Sequence, residues 1–237
     1  MKVALCLSGH LRSFRQTFYS LHKYIIEPYN PDIFIFTYEN KGFDGDRGDR
    51  AAINQLATTE ELDNLYHPIK CVITRAKKNH LNMIKYKDRV GSGVRDATII
   101  PSMFHSVYRA NLLKTEYEQE IGRSYDVVIR SRPDILYETP LDKNEFENCM
   151  TSNAIYIPTF GNYGGYNDQF AFGSSLSMDL YSSTFPNIDT FFDLGCLFHA
   201  ETLCKYTLDY YDIPIVRSNM NYKLQRSNGT FFRNADN

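Results

Sequence analysis

Tryptophan is absent from the 237 residues, and so is any apolar run long enough to cross a bilayer. The N-terminus offers only Val3 to Leu7 before it turns polar, too short for the core of a signal peptide. The expectation is a cytoplasmic chain without a membrane span. Cysteine is scarce and odd in number: Cys6, Cys71, Cys149, Cys196 and Cys204, with no C-x-x-C pair. A zinc ribbon and a disulfide scaffold both fit poorly, and free thiols in a reducing compartment fit better. No charge of one sign dominates. Twenty-six basic residues against 28 acidic ones leave a net charge of -2, which provides no field to hold a nucleic-acid backbone, so nucleic acid is not expected as a partner. The phosphate-loop pattern G-x-x-x-x-G-K-[ST] and the dinucleotide pattern G-x-G-x-x-G are both missing. So are internal repeats and any linker rich enough to divide the chain.

What is present is the material for one core. The hydrophobic share is 43%, ordinary for a folded protein, and the length suits a single domain over 1–237. Tyrosine (18) and phenylalanine (16) are abundant. A Tyr-rich surface suits sugar or base stacking, although most of these rings must be core. Short apolar runs at 2–7, 32–38, 71–74 and 126–129 read as buried strands. A helix stripe of Phe14, Phe18, Leu21 and Ile25 lies between the first two and is stopped by Pro28 and Pro31. Further helices are expected at 58–66, from Pro101 to about Ile121, at 175–184 and at 199–211. Further strands are expected at 154–158, 169–172 and 213–216, followed by a polar tail from Ser218. Residues 40–50 read as a loop. Residues 76–101 read as a long mobile segment, a candidate lid. Strands alternating with helices predict an α/β fold: a Rossmann-type mixed, mostly parallel sheet flanked by helices. The mixed order is expected late in the chain, where the connection near 160–167 is too short for a helical crossover.

In such sheets ligands bind beyond the carboxyl ends of the strands. Two strand exits carry unusual polar clusters. At the first, Ser8 offers a hydroxyl, Gly9 lets the backbone approach a ligand, and Arg12 offers a planar fork for phosphate. A tight turn with an exposed Arg would look the same. At the second, the strand 126–129 runs into Arg130, Ser131, Arg132, Pro133 and Asp134. Burying that many charges is costly unless they pair or meet a ligand. Spacing of two puts Arg130 and Arg132 on one side of a strand. The alternatives are an internal Arg–Asp ion pair and a site for a charged diphosphate, with Asp134 reaching a metal or a sugar hydroxyl. The literal D-x-D, Asp44-Gly45-Asp46, stands in a Gly-rich loop and is a weaker metal candidate. His199 and Glu201 open a helix: the acid suits the helix dipole or a catalytic role, and the imidazole suits phosphate or a metal. His105 and Arg109 share a helix face; it would either reach the donor or, as is expected, be solvated.

Together these segments resemble a group of GT-A-type glycosyltransferases from bacteria and large DNA viruses. The resemblance rests on S-G-x-x-R-x-F (Ser8, Gly9, Arg12, Phe14) and on Y-D-x-V-I-R-x-R-P-D (Tyr125 to Asp134). It extends through D-Q-x-x-x-G-S (Asp168, Gln169, Gly173, Ser174) and A-E-x-L (Ala200, Glu201, Leu203), and so spans nearly the whole chain. It implies a GT-A-like fold and transfer of a sugar from a UDP- or GDP-sugar to a glycan hydroxyl. It places Ser8, Gly9, Arg12, Arg130, Arg132, Asp134 and Gln169 on the donor, and Asp168 and Glu201 as catalytic groups. Asp168 would bind sugar hydroxyls or act as general base if the reaction inverts. The departure is that Arg132-Pro133-Asp134 stands where the family has D-x-D. That change removes one metal carboxylate and inserts a cation. Mn²⁺ or Mg²⁺ on Asp134, with His199 as a further candidate ligand, and a metal-independent site held by arginines both stay open. Two other functions are open: a sulfotransferase-like enzyme using the Ser8–Arg12 loop for phosphate, and a non-catalytic carbohydrate-binding module.

Overall fold

Every residue from Val3 to Ser8 is buried, as expected of a strand covered on both faces. The computed structural model describes residues 1–39, 57–75, 83–91, 97–226 and 228–232. In chain order the elements are β1 (Val3–Ser8), α1 (Phe14–Leu21), α2 (Glu27–Tyr29), β2 (Asp32–Tyr38), α3 (Thr59–Tyr66), β3 (Lys70–Thr74), α4 (Ile99–Ile121), β4 (Val127–Ser131) and β5 (Ile135–Tyr137). They continue as α5 (Lys143–Cys149), β6 (Ile155–Pro158), β7 (Phe170–Gly173), α6 (Ser175–Ser182), α7 (Thr184–Asp193), α8 (Ala200–Tyr210), β8 (Ile215–Ser218), β9 (Tyr222–Gln225) and β10 (Phe231–Phe232). Seven strands form the main sheet in the order β3-β2-β1-β4-β7-β6-β8. Only β7 runs against the rest. The fold is therefore a single α/β domain with a mixed, mostly parallel Rossmann-like sheet, and the reversal falls late in the chain, as expected.

Side-chain alternation divides the core into two layers. Leu5, Leu7, Ile33, Ile35, Val127, Ile129, Phe170 and Phe172 face one way, onto α1 and the small sheet. Ala4, Cys6, Phe34, Phe36, Val128 and Ala171 face the other way, onto α4 and the α6–α8 group. All five cysteines are free thiols, four of them buried. Among the described residues no helix is long and apolar enough to cross a membrane.

Several expectations are corrected. The first helix does not stop at Pro28. A π-helical turn, His22–Ile26, precedes α2, and the wider turn accommodates a residue that has no N–H to give. α4 begins at Ile99, so Pro101 lies in its first turn, where backbone N–H groups have no intrahelical partner anyway. The tail beyond Ser218 is not merely polar: β9 and β10 join β5 in a second sheet, β10-β9-β5. Within the 76–101 segment, residues Met83–Arg89 form a 3-10 helix that is docked rather than loose. Tyr86 is buried, with its ring stacked 4.4 Å from Phe198. Its hydroxyl donates to Asp189 at 2.5 Å, and Val90 bridges to Phe198. The D-x-D at Asp44–Asp46 lies outside the described residues.

Candidate functional site at the carboxyl edge of the sheet

The chain leaves β1 for β2 and β3 on one side, then returns to β4 on the other. Strand order thus reverses between β1 and β4, which is where open α/β sheets form a ligand crevice. Leu7 pairs with Ser131, so the two strand exits singled out from the sequence end side by side. β7 runs antiparallel to β4, with Phe170 paired to Ser131. Asn167-Asp168-Gln169, just before β7, therefore arrives at the same edge. The first turn of α8 is held there too, because the Tyr166 N–H donates to the Glu201 carbonyl at 2.9 Å.

Asp134 sits at the centre of an arginine group. Arg132 grips it bidentately, Nε to Oδ1 at 2.8 Å and Nη2 to Oδ2 at 2.7 Å. Arg12 Nη1 stands 3.4 Å from Oδ2. Burial alone would push this carboxyl up, but Arg132, Arg12 and Arg226 outweigh it and hold it below the usual carboxylate range. The internal Arg–Asp pair is thus formed. Arg132 lies past the end of β4 and turns onto Asp134, not along the strand with Arg130.

Arg130 is different. It is 1% exposed and lies within β4. One guanidinium nitrogen, Nη1, donates to the Gln169 carbonyl, while Nε and Nη2 have no hydrogen-bond partner among the described residues. The fully buried Ser8 hydroxyl also lacks one. Cys6 pairs with Arg130, and Ser8, two residues on, shares the Cys6 face of the sheet. Two orphaned buried polar groups therefore lie on one face of neighbouring strands, at the open edge. Such groups are costly without a partner. Gly9 takes φ +112, and among the described residues nothing lies within 4 Å of where a Cβ would stand, so that side of the turn is open to a ligand while the Gly9 carbonyl accepts from the Thr37 hydroxyl at 2.7 Å.

Asp168 is 4% exposed. Burial first, and Glu201 second, push its carboxyl up to about 6, against the pull of Arg130 and Arg132. His199 Nδ1 lies 3.0 Å from Glu201 Oε2. That carboxylate raises the imidazole above its ordinary value despite burial. The Asn167 side chain is structural: its Oδ1 accepts from Gln169 N at 2.8 Å and starts β7.

Two close approaches set the first turn of α8. The Gly91 N–H reaches the Phe198 carbonyl at 3.3 Å, which brings the docked 83–91 strap against His199. On the other side, a Cβ at Gly165 would stand 2.0 Å from the Glu201 carbonyl oxygen. Backbone cannot step aside as a flexible side chain can, so Gly165→Ala is expected to cost about 1–3 kcal/mol by overpacking. Urea unfolding checks this; an unchanged midpoint would show that the loop and α8 are not locked together.

His105 and Arg109 do not form a solvated face. His105 Nδ1 is 2.7 Å from the Tyr38 hydroxyl, and the Arg109 guanidinium lies 5.6 Å from the centre of the Phe36 ring. Both pack on the end of β2. Two contributors to the site escaped the sequence. Tyr222 is fully buried and its hydroxyl, which accepts from Asn167 Nδ2 at 2.9 Å, lies 3.1 Å from Asn167 Oδ1 and 3.3 Å from Gln169 Oε1, either of which takes its one proton. Arg226 acts on Asp134. Both come from the tail, where the apolar positions are too few to reveal a strand.

A divalent cation needs carboxylate oxygens turned toward it. Both oxygens of Asp134 face guanidinium groups. Among the described residues no three His, Cys, Asp or Glu side chains converge as a ligand set around Asp134, His199 or elsewhere. In this arrangement the Asp134 carboxylate is taken up by arginines, and no step below runs through a metal.

No curated protein matches this sequence. A family profile described as "Domain of unknown function (DUF7796)" matches residues 1–223. It takes in the whole main sheet and every residue of the candidate site except Arg226, and the chain therefore belongs to the DUF7796 family.

Proposed function

We propose that this protein is a glycosyltransferase that moves a sugar from a UDP- or GDP-sugar to a hydroxyl of a glycan acceptor. One observation carries this reading. A buried guanidinium with two nitrogens unpartnered among the described residues, Arg130, lies at the strand-order reversal near a buried carboxyl, Asp168, that burial and Glu201 push up to about 6. The cation supplies fixed positive charge for a departing diphosphate, in a site where such charge acts strongly. The carboxylate supplies a general base whose affinity for the proton is raised above that of an ordinary carboxylate.

In the inverting displacement that these groups suit, the acceptor oxygen forms a bond to the anomeric carbon of the donor sugar. The bond from that carbon to the diphosphate oxygen breaks, and the diphosphate leaves with the electron pair. The acceptor hydroxyl's proton passes to Asp168. Ser8, Gly9, Arg12, Arg130 and Arg132 are assigned to the diphosphate. Gln169 and Glu201 are assigned to the sugar, with His199 as the partner that keeps Glu201 in place. Holding donor and acceptor together supplies much of the rate in such a scheme.

The test is a thermal-shift panel of nucleotides and nucleotide sugars. At a hundredfold excess over its dissociation constant, a ligand stabilises by about 2.7 kcal/mol, a midpoint rise of about 5–10 °C for a chain of this size. A rise with one UDP- or GDP-sugar supports the proposal. A rise with adenosine bisphosphate alone would move the function to sulfate transfer. Silence with every nucleotide would contradict both enzymes and leave a carbohydrate-binding module.

A further inference from the structure

The strap at 83–91 reaches the site through α7 and Phe198. Its anchor is Tyr86, buried between Phe198, stacked with ring centres 4.4 Å apart, and Phe192, edge-on at 4.8 Å. Lys85 pairs with Asp189 and Asp193, both at 2.9 Å. The Arg89 guanidinium lies 3.7 Å from the centre of the Phe192 ring. Asp189, Phe192 and Asp193 all belong to α7, so the strap is fixed to that helix by rings and by charge.

Its far end fixes the residues that open α8. The Phe198 N–H donates to the Arg89 carbonyl at 2.8 Å, and the Gly91 N–H donates to the Phe198 carbonyl at 3.3 Å. Phe198 is therefore gripped by its ring and its backbone, and His199 follows it directly. A Cβ at Gly91 would stand 2.8 Å from the His199 Cβ, 3.1 Å from its Cδ2 and 3.2 Å from its Cγ. Gly91 is not in the left-handed region, so it is the His199 side chain that crowds out a larger residue here, and not the backbone. Held in this way, His199 Nδ1 stands 3.0 Å from Glu201 Oε2, with the two side chains 17% and 11% exposed. A glutamate has rotamer freedom that must be removed to keep its carboxylate in one place, and a misplacement of about 1 Å can cost about 10²-fold in rate.

We propose that the strap is a positioning element of the site, in which Tyr86 and Gly91 are positioning residues that hold His199 against Glu201. The proposal rests on the glycosyltransferase reading only for what Glu201 does, which is to hold the sugar.

The experiment is an NMR titration of the His199 ring signals, identified by their loss in His199→Asn, in the wild type, Gly91→Ala, Tyr86→Ala and Tyr86→Phe. Glu201, opposed by burial and aided by Asp168, keeps the imidazole proton above its ordinary range in the wild type. In Gly91→Ala and Tyr86→Ala the midpoint is expected to fall. For release of UDP or GDP, kcat is expected to fall about tenfold or more with the donor KM within about twofold, because the strand exits assigned to the diphosphate are untouched. Tyr86→Phe keeps the ring on Phe198 and leaves Asp189, 58% exposed, to water; it is expected to behave as the wild type. Should Tyr86→Ala fail to fold, Gly91→Ala decides, because the nearest neighbours of its new methyl are all atoms of His199. An unchanged His199 midpoint in the folded variant, or a lowered midpoint with kcat unchanged, would overturn the proposal. A lowered midpoint in the variants of a wild type that splits no nucleotide sugar would overturn the transferase and leave the strap's hold on His199 and Glu201 standing.

Discussion

Asp168→Asn is expected to lower sugar transfer by about 10²–10⁴-fold, the usual contribution of a general base, and to make the protein more stable at neutral pH. The two effects share one cause. Asp168 is almost fully buried, and its carboxyl is pushed up to about 6 by burial and by Glu201. The folded chain therefore holds this proton more tightly than the unfolded chain does. The stability so gained is complete below the ordinary carboxylate value and is lost as pH rises through about 6. At pH 7.5 the wild type carries an ionised buried carboxylate that Asn avoids, so the variant should gain about 1–3 kcal/mol there and almost nothing near pH 4. Urea unfolding at the two pH values measures the stability effect. The rate effect has its own signature: kcat/KM of the wild type rises with pH through about 6 as the base loses its proton, and the variant loses that limb. A variant as active as the wild type, or one less stable at pH 7.5, would remove Asp168 from this role.

Lys114→Ala is expected to cost about 3–5 kcal/mol, the loss typical of breaking a buried ion pair from one side. Its midpoint should fall by about 10 °C. Lys114 is 0% exposed. Its Nζ donates to Glu118 at 2.9 Å, Ser175 at 2.7 Å and Asp179 at 2.8 Å. Glu118 also accepts from the Tyr125 N–H at 2.7 Å and from Ser175 Oγ at 2.7 Å. One ammonium therefore joins α4 to α6 and, through Glu118, fixes the chain where it enters β4. Removing it leaves Glu118 and Asp179 facing each other's charge across a small void. The exposed pair Lys205–Asp209 on α8 is the contrast: Lys205→Ala should change stability by no more than about 1 kcal/mol. Equal losses from the two lysines, read by thermal or urea unfolding, would show that Lys114 is no more than a surface contact.

The parts of the fold legible in the sequence are those in which one short segment is buried on both faces. The runs at β1, β2 and β4 are continuous and apolar, and each is a strand in the central parallel block. Strands of the small sheet were not legible. β9 buries Tyr222 and Leu224 while Lys223 and Gln225 are half-buried, a period-two pattern over only four residues, and β10 has two residues. Proline misled at one helix start. Pro101 lies in the first turn of α4; from sequence alone, a proline that opens a helix resembles one that prevents it.

The site was legible by type and not by pairing. Arg130 and Arg132 stand two apart, which as a strand means one face; the strand ends at Ser131, and Arg132 turns back to Asp134 instead. Whether Asp134 met a metal or an arginine depended on the direction of that turn. His199 and Glu201 were found because an acid and an imidazole opened one helix. Their position against Asp168 depends on backbone contacts from the strap and from the 161–167 loop, which no local pattern encodes. Arg226 was hidden because it lies more than 90 residues beyond Asp134 in the chain and arrives by way of a hairpin.

The measurement that bears most directly on the central claim is release of UDP or GDP from a nucleotide sugar, followed with purified wild type and Asp168→Asn. One nucleoside diphosphate should be released by the wild type, and at least about 10²-fold more slowly by the variant. If no UDP- or GDP-sugar is split by the wild type, or if both proteins split it at the same rate, the carboxyl edge of this sheet is not the sugar-transfer site described here.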